Sequence, residues 1–187
     1  MKLRTDKLIS ELICITYQNI EDAEIMLKKS MQELNWRIDV NSWSALECIA
    51  HLNLYSNFYL PEIKYGINQQ IIPPDDNFIP GFFGNYFSNS IRLKEKRRKM
   101  KTPIEMNPIG SVLSKETLCQ FIIDQHAIIS LLEDAKSISL NKTKTAISVS
   151  KLIKLKLGDT LRFVVYHNER HMVQALRALD SIRNKAA

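Results

Sequence analysis

The sequence predicts an all-α protein, a four-helix bundle. Three observations carry that reading. Four long stretches place apolar residues three and four positions apart, the periodicity of helices that bury one face. Only 5 Gly and 6 Pro occur in 187 residues, few for a fold rich in tight β-turns. No segment reads convincingly as a strand. Apolar residues make up 45% and charged residues 25%, the composition of a globular chain able to bury a core. A single domain over residues 1–187 is expected.

The first helix is predicted over residues 6–34. Leu8, Leu12 and Ile15 share one face, and Ile9, Ile13, Ile20, Met26 and Leu27 widen it, with no Gly or Pro to break the run. The second begins at Asn41-Ser-Trp-Ser44-Ala-Leu-Glu47. There Ser44 and Glu47 form a capping box, the hydroxyl taking a free backbone N–H while the carboxylate reaches back. Trp43, just before the cap, is placed to act as a hydrophobic staple. This helix runs to about residue 60. Pro61 then removes one backbone hydrogen bond and should stop or kink it, with helix resuming through residue 68.

Residues 71–110 form a long connection between the second and third helices, punctuated by Pro73, Pro74, Pro80, Pro103 and Pro108. A loop of that length carries local structure of its own, and a short helix is expected over residues 85–99. Phe78, Phe82, Phe83, Tyr86 and Phe87 crowd its first half. These rings either pin the loop to the bundle or line a pocket. A third helix opens at Ser114-Lys-Glu-Thr, with Glu116 suited to its positive end, and runs to about residue 135. Residues 137–156 read as irregular and basic. Asp159 is the expected cap of a fourth helix over residues 160–182, whose stripe is Leu161, Val164, Val165, Met172, Ala175, Leu176 and Leu179.

The net charge of +6 is concentrated in Arg92-Leu-Lys-Glu-Lys-Arg-Arg-Lys-Met-Lys101. No aromatic or glycine pattern of a nucleic-acid module accompanies that run, so a solvated surface segment is expected and a nucleic-acid partner is not. No apolar run reaches 18 residues and the start has no signal-peptide core, so no membrane partner is expected and the cytoplasm is the default location. Cys14, Cys48 and Cys119 are odd in number and form no Cys-x-x-Cys motif. Three buried free thiols are expected rather than a disulfide framework.

The chemistry gathers on histidine. Two of the four histidines form His167-Asn-Glu-Arg-His171. Four residues apart on a helix, they share one face and can close on one divalent ion. They fall on the flank of the fourth helix's apolar stripe, where a bundle can open a cleft. A third ligand is required, and His51, among Leu54, Tyr55 and Phe58, is the candidate. An imidazole in such surroundings needs a partner, which a metal or a backbone carbonyl would supply. Three neutral imidazoles leave an open coordination position, as catalytic sites do. Zinc, nickel, iron and manganese all accept imidazole. Gln174, three residues past His171, is placed to support that ligand. Glu47, one turn before His51, serves its cap or orients His51. His126 is expected to be structural or exposed. Glu169 points away from His167, and its position does not match the His-Glu-x-x-His metalloprotease motif, so that class is excluded.

Trp43-Ser-Ala-Leu-Glu-Cys-Ile-Ala-His51-Leu, followed far downstream by Leu157-Gly-Asp-Thr-Leu-Arg-Phe-Val-Val-Tyr-His167-Asn-Glu-Arg-His171-Met-Val-Gln174-Ala, resembles the DinB/YfiT-like superfamily. Lys101-Thr-Pro in the long loop also resembles members of that group. The resemblance covers the whole chain and departs at none of the three histidines. It implies an up-down-down-up four-helix bundle, often a homodimer, with a divalent metal held by His51, His167 and His171. It also implies a small-molecule substrate. Some members resemble transferases that activate a low-molecular-weight thiol such as bacillithiol, mycothiol or glutathione. An S-transferase or a hydrolase is therefore the expected activity, with a non-catalytic metal- or ligand-binding module as the alternative. Tyr55 and Gln174 are the expected neighbours of the metal ligands.

Overall fold

The computed structural model describes residues 2–92, 102–148 and 150–185, and it is mostly helical. In chain order the elements are β1 (Leu3–Arg4), α1 (Thr5–Leu27), α2 (Met31–Leu34), α3 (Ala45–Asn68), β2 (Asn77–Phe78), α4 (Phe82–Ile91), α5 (Glu116–Asp134), β3 (Lys144–Ile147), β4 (Ser150–Lys156) and α6 (Leu157–Lys185). The four long helices pack as a square: α3 lies against α5 and α6, and α1 against the same two. One apolar cluster joins Leu8, Leu12, Ile63, Ile128 and Leu161, and a second joins Met26, Leu46, Leu52, Phe121 and Met172.

Several boundaries differ from the sequence expectation. The predicted first helix is two helices, broken at Lys28 and Lys29. Ser30 and Glu33 form a capping box that restarts the chain as α2. That box satisfies the new helix's first amides, so the apolar spacing continues across an actual break. Pro61, expected to stop or kink the second helix, lies inside α3. The ring costs the hydrogen bond to the Asn57 carbonyl. Both residues face solvent, so water can take that carbonyl. The Ser44–Glu47 capping box at the start of α3 is formed as expected.

The loop helix, expected over residues 85–99, is α4 and starts three residues earlier. The rest of that expectation, and the basic run beyond Arg92, lie outside the described residues. α4 is anchored to α6 by Asp159, which accepts the Gly81 N–H at 2.8 Å and pairs with the fully buried Arg162 at 3.4 Å. Asp159 is therefore not the cap of the fourth helix. α6 starts two residues before it, directly from β4, and Asp159 lies in the first turn.

The segment read as irregular contains an antiparallel hairpin, β3 with β4, bulged between Ala146 and Ile147. It is held to the bundle by the Ala146 N–H donating to Glu62 at 2.7 Å and by the Thr145–Thr160 hydroxyl pair at 2.7 Å. Thr143, Thr145, Ile147, Val149 and Ile153 are the β-branched enrichment that marks it in the sequence. Of the three thiols expected to be buried, only Cys48 is; Cys14 and Cys119 are exposed. Lone cysteines on amphipathic helices fall on either face. Among the described residues, no helix is long and apolar enough to cross a membrane.

Candidate metal centre

Two helices bring the three histidines together. His51 comes from the middle of α3, and His167 and His171 come from successive turns of α6. One ring nitrogen from each lies within 4.8 Å of the other two. The His51 and His167 Nε2 atoms are 3.3 Å apart. Two imidazole ligands of a tetrahedral ion are separated by roughly that distance, about 3.3 Å at metal–nitrogen lengths near 2.0–2.1 Å.

The ring orientations are set from behind. His51 Nδ1 donates to the Met106 carbonyl at 2.6 Å. His171 Nδ1 donates to Gln174 Oε1 at 3.0 Å. In both rings the proton is thus held on Nδ1, and the Nε2 lone pair is left for the cluster. His51 and His167 are buried, and His171 is half-buried. Burial disfavours the imidazolium form of each. His51 is lowered by it despite the Met106 bond. His167 is driven well below the usual range by burial and then by its histidine neighbours. His171 is lowered to about 3, by burial first and then by His51. Three neutral imidazoles converging in a low-dielectric site suit a divalent cation, which binds the neutral form.

The cluster lies in the wall of a cavity of about 890 Å³. Trp43 is part of its wall, with its ring 4.8 Å from His51 and 5.7 Å from His171. Tyr55 lies 4.9 Å from His51 and 4.5 Å from His167. Phe163 stacks on His167 at 5.4 Å. Sequence reasoning missed Phe163, although it stands one turn before His167 on the same face. It read Trp43 only as a staple. It also missed the Met106 carbonyl, which no side-chain pattern reveals.

Glu47 does not orient His51 directly. Its carboxylate completes the capping box and pairs with Arg37, whose Nε donates at 2.9 Å. It also accepts the Gly110 N–H at 2.6 Å. Burial acts to raise its pKa, but Arg37 and the Ser44 and Gly110 amides outweigh that and hold it below the usual range. Glu47 thereby ties the segment carrying Met106 to α3, as does Trp43 Nε1 donating to Asn107 at 3.0 Å.

The loop aromatics do not line this cavity. Phe78 is fully buried in the core, whereas Phe82, Phe83 and Tyr86 are exposed on α4. A ten-residue helix turned outward by the Asp159 anchor buries only its small face, Gly84 and Ser88, with Ile91. Arg92 pairs with Glu11 at 3.0 Å and lies over the Tyr166 ring. His126 is exposed, and Glu169 is half-buried outside the histidine cluster.

Fold and site together define a helical-bundle protein with a three-histidine cluster able to hold a divalent metal. A family model described as the DinB superfamily matches residues 23–175, and the chain belongs to that superfamily. All three histidines fall within the match. No curated protein and no solved structure matches the chain.

Proposed function

We propose that this protein is a metal-dependent enzyme acting on a small molecule, with His51, His167 and His171 as the protein ligands of one divalent cation. The observation that carries this reading is the convergence of three neutral imidazoles in the wall of an open cavity. Two of those rings are held from behind by Met106 and Gln174.

When bound, such a cation supplies a Lewis acid with an open position that favours the anion of a thiol or water. The chain's own residues do the rest. Burial keeps the imidazoles neutral and available, the Met106 carbonyl and Gln174 hold two rings in orientation, and Trp43, Tyr55 and Phe163 exclude water from one side. A low-molecular-weight thiol is the substrate class suggested by the family resemblance, with S-transfer as the reaction and hydrolysis as the alternative. Zinc, nickel, iron and manganese are the candidate ions. We read the four long helices as an up-down-down-up bundle forming one domain that works as a cytoplasmic homodimer.

The test is metal-stripped protein reloaded with each ion and assayed for conjugation of glutathione or bacillithiol to an electrophile such as 1-chloro-2,4-dinitrobenzene, and for ester hydrolysis. Turnover with one ion, lost in His51→Ala, is the expected result. Rates equal to buffer with every ion would refute the enzymatic reading and leave a metal-binding module.

A further inference from the structure

The outer face of α4 is apolar, exposed and bordered by lysines. Phe82, Phe83 and Tyr86 are 85%, 65% and 65% exposed, and spacings of three and four put them on one side of the helix. Ile79, just before α4, is exposed as well. Large apolar groups left bare side by side mark a surface that something covers. The β3–β4 hairpin adjoins this patch. Lys156 Nζ donates to the Ile79 carbonyl at 2.8 Å, and α4 packs against β4. The register of the hairpin sets Lys144 directly opposite Lys156, and Lys154, two residues along β4, shares their face. Like charges set opposite each other destabilise a strand pair. Among the described residues, neither Lys144 nor Lys154 has a carboxylate partner. The chain has no acid between Asp76 and Arg92, and none between Asp134 and Asp159. Asp159 is buried against Arg162, and Glu62, which reaches the hairpin, accepts the Ala146 N–H. Leu152 and Ile153 are also exposed, on the same strand as Lys154 and Lys156.

We propose that this face docks on an anionic lipid surface, with Phe82, Phe83 and Tyr86 entering the headgroup region while Lys144, Lys154 and Lys156 meet the lipid phosphates. The charge pattern selects that occupant. In a two-fold dimer a patch meets itself, which would set these lysines against their own copies. A single-stranded nucleic acid would use the rings and the lysines. It has no use for Ile79, Leu152 and Ile153, which offer no ring for a base to stack on, whereas a lipid interface takes aliphatic and aromatic side chains together. Peripheral docking needs no membrane-spanning run, only an apolar face flanked by basic side chains. The metal centre is not involved: α4 and the hairpin supply none of its histidines, and none of these residues lines its cavity.

Co-sedimentation of the full chain with vesicles tests it, using phosphatidylcholine alone and phosphatidylcholine with about a third phosphatidylglycerol. The protein should pellet with the mixed vesicles, stay in solution with the neutral ones, and be released by added salt. Phe82 and Phe83 are exposed, so Phe82→Ser combined with Phe83→Ser should keep the wild-type thermal melt and lose vesicle binding. Lys144→Gln combined with Lys154→Gln should weaken binding about tenfold or more. No binding of wild type to the mixed vesicles, equal binding to both kinds, or binding that survives either double variant would each overturn the proposal. Tighter binding to a single-stranded thymidine oligonucleotide than to vesicles, lost in the same variants, would assign the face to nucleic acid and overturn it. A dimer that the phenylalanine variant alone converts to monomer, in a protein that binds no vesicles, would assign the face to a second copy and overturn it equally.

Discussion

Metal binding at pH 6 should release less than about one proton, because the site is already deprotonated. Three ordinary histidines with pKa near 6.5 would each be about three-quarters protonated at that pH, and filling them with a cation would expel about two protons. Here His171 is lowered to about 3. Burial with two neighbouring rings holds His167 well below the ordinary value. His51 is lowered too, by burial acting against the bond to the Met106 carbonyl. The measurement is calorimetric titration of stripped protein with zinc at pH 6 in two buffers of different ionisation enthalpy. The slope of observed heat against buffer enthalpy gives the protons released directly. A value of two or more would mean that the histidines are not held neutral before the ion arrives, and the preorganisation argument would be wrong.

Further predictions follow from the same geometry. The metal-stripped protein should lose stability as pH falls from 6.5 toward 3. In that window the unfolded chain binds protons that the folded His171, with its value of about 3, does not. At pH 5 this amounts to on the order of 2 kcal/mol, seen in urea titrations as a steeper loss for wild type than for His171→Gln. Gln174→Leu should weaken zinc affinity about 10–100-fold without changing stoichiometry, since it removes only the acceptor behind His171. A chelator competition showing unchanged affinity would refute that role. Gly84→Ala places a methyl 2.2 Å from the Asp159 carboxyl carbon. It should cost about 1–3 kcal/mol in thermal unfolding while leaving metal binding intact.

The parts of this protein legible in the sequence were those written in local periodicity. The α3 start was readable because a capping box is a four-residue signal, and the histidine pair was readable because α6 repeats on the same period. His51 could be nominated only as an imidazole lacking a partner, since its approach to His167 across 116 residues is a tertiary fact. The break between α1 and α2 stayed hidden because Ser30 and Glu33 interrupt the helix without interrupting its apolar spacing. The hairpin was obscured by its lysines: Leu152 and Ile153 are both exposed, so the strand lacks clean alternation. Met106 contributes only a backbone carbonyl, which no side-chain pattern announces.

The most direct test is elemental analysis of untagged protein, wild type beside His167→Ala, after equilibration with zinc, nickel, iron or manganese and gel filtration. About one equivalent of one ion per chain in the wild type, lost in a folded His167→Ala, is the predicted result. Equal metal content in both, or none in either with every ion, would contradict the assignment of His51, His167 and His171 as a metal centre.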